Sequence, residues 1–290
     1  MMKDINFIIT DLDDTLWDWL AMWHNSFEPY LNRIADETGI DQQQLIIGFK
    51  ELHQKYGTTE MSFAYKELPI IEPRFYPLFD TDKGEVKSIL HEYYSNKKNN
   101  LRLYDLVVET LKEIKSKGVK IVAFTESYVF FTKYRFKHLN LDGIIDAVYS
   151  PRGSELPLSV YRHYQEDFWE PKITEFKVLP NETRKPNPEI LDQIIADFKA
   201  KKQNSIYVGD KLDRDIYMAQ KAGITSVYAS YGHVIDNAQY DLLRNVTHWT
   251  DEDVKREMDF KSQPKDIKQP DYTIQRFSDL LKIFNYVKFS

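Results

Sequence analysis

The stretch FIITDLDDTLWD, residues 7–18, carries four acidic side chains directly behind a short run of strand-forming apolar residues. Near-continuous apolarity of that kind is typical of a strand that is covered on both faces. In an extended chain, residues two apart point to the same side, so Asp11 and Asp13 would present their carboxylates together just past the strand. Two such carboxylates repel each other unless a cation lies between them or one of them holds a proton. The stretch therefore indicates a Mg²⁺ site; the alternative is an acidic turn in which Asp14 or Thr15 caps the next helix.

Composition limits the classes to which the chain can belong. Its 290 residues are 42% apolar, enough to bury one large core or a core plus a smaller unit. Lys and Arg total 39 against 45 Asp and Glu, and the net charge of −6 gives no bulk attraction to nucleic acid or anionic lipid. Cysteine is absent, which excludes disulfides, thiolate metal sites and cysteine nucleophiles. With neither a leader nor a spanning apolar run, we expect a cytoplasmic protein without nucleic-acid or membrane partners.

Two kinds of pattern divide the chain. Residues 17–100 have helical spacing throughout, with a stop at Gly39 and a new helix capped by Asp41. After about residue 101, helices alternate with short apolar strands. Strands are expected at 5–10, 119–125, 205–210 and 224–229. This alternation predicts an α/β fold with a doubly wound parallel sheet, accompanied by a second, helical unit.

Two segments do not follow the alternation. Residues 151–182 are proline-rich and contain the alternating run KITEFKV, which predicts an inserted loop or hairpin. Residues 233–272 are polar and predict a solvated surface excursion, followed by a last helix at 274–284.

Four motifs make the sequence resemble the haloacid dehalogenase (HAD) superfamily of phosphatases and phosphotransferases. DLDDT, which begins at Asp11, matches the D-x-D-x-T signature of that family. VAFTES supplies Thr125 after a later strand, RKPNPEIL supplies Lys185, and YVGDKLDRD supplies Asp210 and Asp215. The motifs follow one another in the order that the family has, which makes the match more specific than any single motif.

The resemblance also implies a division into domains. A Rossmann-like catalytic core would comprise residues 1–16 and 101–290, with 151–182 as an insertion. Residues 17–100 would form a helical cap of the C1 type, which the family inserts after its first motif. A cap of this kind would cover the site and exclude water.

The resemblance assigns roles to the acidic residues. Asp11 would be the nucleophile that forms an aspartyl-phosphate. Asp13 would be the general acid and base, and its backbone carbonyl would also face the metal. Asp210 would complete the Mg²⁺ ligands beside Asp11, while Asp215 would orient the site without being a direct ligand.

The remaining motif residues would bind the phosphoryl group. Thr125 and the backbone N–H groups of Glu126 and Ser127 would contact its oxygens, and Lys185 would offset the charge of nucleophile and phosphate. Glu126 departs from the Asn-Ser and Asn-Lys pairs that are familiar at this point of the family. A carboxylate beside a phosphate would be costly unless it points away.

The expected function is Mg²⁺-dependent hydrolysis of a small phosphomonoester, such as a sugar phosphate, a phosphoglycolate-like acid or a nucleoside monophosphate. A haloacid dehalogenase is disfavoured, because it lacks the second motif acid that Asp13 supplies here. Two alternatives stay open: a sugar phosphomutase with the same core residues, and a phosphate-binding module without catalysis. The sequence predicts a small phosphorylated metabolite as the partner and leaves the oligomeric state undetermined.

Overall fold

The computed structural model describes residues 2–61, 63–153, 167–233, 237–250, 255 and 268–290. The strands in these ranges are β1 (Lys3–Ile5), β2 (Phe7–Thr10), β3 (Lys120–Phe124), β4 (Ala147–Pro151), β5 (Glu175–Leu179), β6 (Ser205–Gly209), β7 (Thr225–Ala229), β8 (Tyr272–Ile274) and β9 (Phe284–Tyr286). Seven of them form the main sheet in the order β5-β4-β3-β2-β6-β7-β8, and every neighbouring pair is parallel. The expected doubly wound parallel sheet is therefore confirmed.

Some helices pack against this sheet, and others pack with one another around a hydrophobic core of their own. They are α1 (Trp19–Thr38), α2 (Gln42–Tyr56), α3 (Tyr76–Asp80), α4 (Ile89–Asn100), α5 (Val107–Ser116), α6 (Val129–His138), α7 (Pro188–Asp197), α8 (Tyr217–Lys221), α9 (Asn237–Val246) and α10 (Leu280–Ile283). A π-helical turn at Leu212–Ile216 leads into α8. Among the described residues, none of these helices combines the length and the apolar character needed to cross a bilayer.

The order of the sheet places a ligand-binding edge at β2. β3 lies on one side of β2 and β6 on the other, so the direction in which the chain winds reverses there. In open α/β sheets, ligands bind outside the carboxyl ends of the strands at such a reversal. The residues that follow β2, β3 and β6 are therefore brought together.

The central strand is buried on both faces, as its continuous apolarity predicts. All four residues of β2 are buried. Ile8 packs into one cluster with Leu111 of α5, whereas Phe7 packs into another with Leu191 of α7. The alternation of side chains along a strand sends successive residues to opposite cores.

The helical segment has a hydrophobic core of its own. Trp23, Phe27 and Phe49 are among its buried side chains. α1 ends at Thr38, and Gly39 follows with a φ of 72°, in the left-handed region that favours glycine. The carboxylate of Asp41 accepts the N–H of Gln44 at the start of α2. Both helix boundaries predicted from the sequence are confirmed, and a Rossmann-like core with a helical cap is the resulting fold.

The expectation of an inserted loop or hairpin at 151–182 is wrong for its alternating run. That run contains all of β5 except its last residue, and β5 pairs in parallel with β4 at one end of the described sheet. Alternation specifies a strand with one covered face, but it does not specify the partner strand. Residues 154–166 of the expected insertion lie outside the described residues.

The polar segment after β7 also differs from expectation. α9 is not a solvated excursion, because Leu243 and Val246 are buried in the core of the helical segment. Most of the charge-rich stretch at 251–267 lies outside the described residues.

The last helix expected at 274–284 is correct only in its middle. Ile274 ends β8 and Phe284 begins β9, which pairs in parallel with β1 near the start of the chain. Between them, a 3₁₀ turn at Phe277–Asp279 leads into α10. The helical spacing of the sequence does not reveal that its ends have distant strand partners.

Candidate active site

Three of the predicted site residues follow directly on neighbouring strands. Asp11 comes after β2, Thr125 after β3 and Asp210 after β6. The N–H of Asp11 donates to the carbonyl of Val208 at 2.8 Å, and the N–H of Thr125 donates to that of Tyr149 at 3.1 Å. The sheet hydrogen bonding therefore continues into the site and fixes its backbone.

A buried cluster of carboxylates lies at this edge. One oxygen from each of Asp11, Asp210 and Asp215 lies within 4.8 Å of the others. Burial raises the pKa of Asp11 well above its ordinary value, and the charges of Asp215 and Asp210 add to that effect although Lys185 opposes it. Burial likewise raises the pKa of Asp210. Three such groups need positive charge around them in order to remain ionised.

Lys185 supplies part of that charge. Its Nζ lies 2.6 Å from Oδ1 of Asp11 and 2.9 Å from Oδ1 of Asp215. Burial alone would lower the pKa of Lys185, but the carboxylates of Asp11 and Asp215 raise it above the ordinary value. The lysine is therefore a fixed cation that contacts two members of the cluster.

Asp215 is held by the protein on both of its oxygens. Oδ1 accepts the hydroxyl of Tyr207 at 2.8 Å as well as Lys185, and Oδ2 accepts the N–H of Lys211 at 3.0 Å. Gly209 makes this approach possible, since a Cβ at that position would lie 2.4 Å from Cγ of Asp215. Such a fully bonded carboxylate suits the orienting role expected of Asp215.

The donor set fits a divalent cation. Oδ2 of Asp210 is buried and forms an ion pair with Nζ of Lys211, 2.5 Å away. Oδ1 of the same residue accepts a hydroxyl from Thr15 at 3.2 Å. Hard carboxylate oxygens in a buried cluster with excess negative charge are the ligands that Mg²⁺ takes in proteins. Asp11 and Asp210 are the residues that would hold it.

Asp13 is not part of this cluster. The chain turns after Leu12, whose carbonyl accepts the N–H of Leu16 at 2.8 Å, so the extended geometry expected from the sequence does not apply. Oδ1 of Asp13 accepts Nε1 of Trp17 at 2.6 Å, and Oδ2 accepts the hydroxyl of Ser127 at 2.5 Å. The carboxylate is therefore turned towards the loop after β3. A metal contact through its backbone carbonyl stays a prediction.

The helix cap expected at Asp14 or Thr15 lies instead at Asp18, whose carboxylate accepts the N–H of Ala21 at 2.9 Å. Asp14 also contacts the start of α1. Its Oδ1 accepts the N–H groups of Trp19 at 3.0 Å and Leu20 at 3.1 Å, at the start of α1. Burial raises the pKa of Asp14 to about 7, despite the opposing charge of Lys211. The opening stretch thus serves both the helix and the site.

The loop after β3 explains the unusual Glu126. Its Oε1 accepts the backbone N–H of Lys185 and its Oε2 accepts Nη1 of Arg214, each at 3.1 Å. The carboxylate is therefore paired and joins two loops. The hydroxyl of Thr125 accepts a hydrogen bond from the N–H of Ser127 at 3.0 Å.

Sequence reasoning missed three buried charges beside the site: Arg135 of α6, Glu60 after α2 and Lys97 of α4. Arg135 contacts Asp13 and forms an ion pair with Glu60, and Glu60 also pairs with Lys97. Charged residues on helices and turns are ordinarily solvated, so no sequence signal distinguishes these three.

A cavity of about 500 Å³ lies above the carboxylates. The helical segment and α9 contribute to its wall, for example through Trp19, Thr58 and Leu243. The residue before α6 contacts this wall: the hydroxyl of Tyr128 donates to the carbonyl of Tyr56, the last residue of α2, at 2.9 Å. The site is therefore a pocket between the sheet edge and the helical segment, of the size that small molecules occupy.

Comparison with known proteins identifies the family. A family model described as haloacid dehalogenase-like hydrolase matches residues 5–223. The chain belongs to this HAD-like family. The resemblance noted in its four motifs is thereby confirmed over most of the chain.

Individual relatives and solved structures agree with this assignment. The HAD-like chain is 22% identical over 241 residues to a glyceraldehyde 3-phosphate phosphatase from Methanopyrus kandleri, covering 80% of this chain and 87% of the relative. It is 25% identical over 235 residues to a protein of the same name from Pyrococcus furiosus, covering 80% and 83%. The solved HAD phosphatase from Thermococcus onnurineus has a TM-score of 0.52 at 16% identity, covering 96% of this chain and 97% of that one. This last likeness shows a shared fold.

Proposed function

We propose that this HAD-like phosphatase hydrolyses a small phosphomonoester in a Mg²⁺-dependent reaction through an aspartyl-phosphate on Asp11. The observation that carries the proposal is the placement of Asp11 at the end of the central strand, 2.6 Å from the Lys185 ammonium and within a buried carboxylate cluster. This combination gives a fixed nucleophile in a site that also attracts a divalent cation. The division into a core (1–16 and 101–290) and a C1-type cap (17–100) belongs to the same proposal.

The first half of the reaction forms the covalent intermediate. A carboxylate oxygen of Asp11 attacks phosphorus, the bond from phosphorus to the ester oxygen breaks, and Asp13 gives its proton to the departing alkoxide. Lys185 and the donors after β3 would stabilise charge on the transferring oxygens. A bound Mg²⁺ would neutralise negative charge on the nucleophile and the phosphoryl group.

The second half releases phosphate. The Asp13 carboxylate takes a proton from water, the resulting hydroxide attacks phosphorus, and the bond between phosphorus and Asp11 breaks. Both residues return to their starting states, so the cycle consumes only the ester and water. The wall that the helical segment adds to the pocket would limit access of other nucleophiles to the intermediate.

The relatives suggest which substrate to test first. Both curated relatives are named for glyceraldehyde 3-phosphate, and at 22% and 25% identity they point to a class of substrate rather than to one compound. We therefore propose a small sugar-type phosphate, with a triose phosphate as the first candidate. The cavity has room for a ligand of that class.

The test is phosphate release from glyceraldehyde 3-phosphate, and from p-nitrophenyl phosphate as a general substrate, with Mg²⁺ and with excess chelator. We expect release that requires the metal and that falls by at least about 10³-fold in Asp11→Asn, because no nucleophile remains. Asp13→Asn should still form the aspartyl-phosphate from p-nitrophenyl phosphate, detectable by mass spectrometry after acid quench, but should not turn over. Equal release by wild type and Asp11→Asn would refute the proposal.

A further inference from the structure

A buried arginine lies directly beside Asp13. Arg135 is 1% exposed although it carries a full charge. Its Nη1 donates to the hydroxyl of Ser127 at 3.0 Å and lies 3.4 Å from Oδ1 of Asp13, while its Nη2 donates to Oε2 of Glu60. The guanidinium therefore contacts Asp13, the expected general acid, and Ser127, which donates a hydrogen bond to Asp13. It also contacts Glu60 of the helical cap.

Glu60 is itself fixed as an anion. It is 4% exposed, and Nζ of Lys97 lies 2.5 Å from its other oxygen. Burial would raise the pKa of Glu60, but Arg135 and Lys97 lower it to about 2. The charges of Glu60, Lys97 and Arg135 thus form one buried network, and its arginine borders Asp13.

This arrangement fixes the direction of the guanidinium. A buried cation is tolerated only where its partners are in good geometry, and the planar fork of arginine requires those partners in fixed directions. Glu60 engages one side of the fork and Ser127 the other. Since the Ser127 hydroxyl in turn donates to Oδ2 of Asp13 at 2.5 Å, the position of the Asp13 carboxylate depends on that of Arg135.

We propose that Arg135, held by Glu60, is a positioning residue that keeps the carboxyl group of Asp13 where, when protonated, it can give its proton to the leaving oxygen. The inference rests on the proposed function, in which Asp13 is the general acid. Arg135 acts through Asp13 and Ser127, since these two residues line the cavity and Arg135 is not among its lining residues. Lys97 supports Glu60 but, within the described part of the chain, makes no hydrogen bond to Asp13 or Ser127.

The test uses two substrates that differ in their need for a proton. Nitrophenolate leaves from p-nitrophenyl phosphate without protonation, whereas the alkoxide of an alkyl phosphate needs a proton from the general acid. The quantity measured for each substrate is kcat/KM, which reports the steps up to formation of the aspartyl-phosphate and excludes the hydrolysis step that both substrates share. The value for the alkyl phosphate that the wild type hydrolyses fastest is divided by the value for p-nitrophenyl phosphate. A variant that is merely less folded loses both activities together, so the ratio isolates proton delivery.

The variants are Arg135→Met and the matched control Lys97→Met, each of which removes one buried cation that pairs with Glu60. We expect the ratio to fall about tenfold or more in Arg135→Met, since general acid catalysis is worth about 10² or more. It should change less than about twofold in Lys97→Met, even where both variants lose thermal stability. Glu60→Gln, which releases the other side of the fork, should lower the ratio in the same direction as Arg135→Met.

An unchanged ratio in Arg135→Met, or an equal fall in Lys97→Met, would overturn the positioning role. If the wild type hydrolysed neither substrate with Mg²⁺, the proposed function would fail, and the crystal structure of Arg135→Met would then decide the inference. A carboxylate of Asp13 that has left the Ser127 hydroxyl would support it. A carboxylate that has not moved would overturn it.

Discussion

At the scale of single residues, Lys185 shows how the site combines stability with function. The lysine is 4% exposed and its ammonium contacts both Asp11 and Asp215, so its charge is required wherever those carboxylates are ionised. Removing one partner of a buried ion pair leaves the other charge without compensation, which costs about 3–5 kcal/mol. A surface pair of the same chemistry contributes at most about 1 kcal/mol.

We therefore expect Lys185→Met to lower both activity and stability. kcat/KM for p-nitrophenyl phosphate should fall at least about 10²-fold because charge on the transferring group is no longer offset. The free energy of unfolding in urea should fall by about 3 kcal/mol or more. Lys202→Met, which removes an exposed partner of Asp192, is the matched control and should change stability by less than about 1 kcal/mol. Comparable unfolding midpoints for the two variants would contradict this reasoning.

At the scale of elements, α2 and α9 are joined by a buried histidine. Nδ1 of His53 on α2 lies 2.6 Å from the carbonyl of Val246, the last residue of α9. The ring also packs against Phe27 and Phe49. Burial in these surroundings lowers the pKa of His53 to about 4, although the carbonyl opposes the effect. The imidazole is therefore neutral in the folded protein near pH 7.

This depressed pKa predicts that stability falls on acidification. Between pH 6.5 and 4 the unfolded chain binds a proton at this position and the folded protein does not, so the contribution of His53 is complete above about pH 6.5 and is lost towards pH 4. The total loss is about 3 kcal/mol, because the pKa of His53 is 6.5 in the unfolded chain and about 4 in the folded protein. Urea unfolding at pH 7 and pH 5 should show a smaller difference in His53→Gln than in the wild type. An equal difference in both proteins would exclude His53 as the source.

At the scale of the whole molecule, the site is built into the centre of the sheet. The proposed ligands Asp11 and Asp210 follow β2 and β6, which are adjacent in the middle of the described sheet. Bringing their carboxylates together with Asp215 costs free energy that a bound cation would recover. Since unfolding separates these strands, metal binding should be linked to global stability.

Mg²⁺ should therefore raise the unfolding temperature. At a free concentration 100 times the dissociation constant, the gain is about 2.7 kcal/mol, or a shift of about 5 °C or more for a protein of this size. Differential scanning fluorimetry with Mg²⁺ and with chelator measures it directly. Asp210→Asn removes one ligand charge and should abolish most of the shift. A shift of the same size in that variant would argue against a site between Asp11 and Asp210.

Much of the fold was predictable from local patterns. The continuous apolarity of β2 predicts a strand buried on both faces. Gly39 and Asp41 predict the boundary between α1 and α2, because backbone conformation and capping are decided by a few adjacent residues. Pairing partners were not predictable. The partner of β5 and the separate sheet of β1 and β9 depend on contacts between residues far apart in the chain.

The amino-acid sequence alone determined which chemical groups this protein has for its site. Four motifs supply Asp11, Thr125, Lys185 and Asp210. Each of these residues follows an apolar strand or precedes a helix. Only the tertiary structure decided how their charges are balanced. It turns Asp13 away from the carboxylate cluster, pairs Glu126 with Arg214, and buries Arg135 between Asp13 and Glu60. The physical reason is that the energy of a charge depends on its burial and on neighbours brought together by folding, and neither quantity is local in sequence.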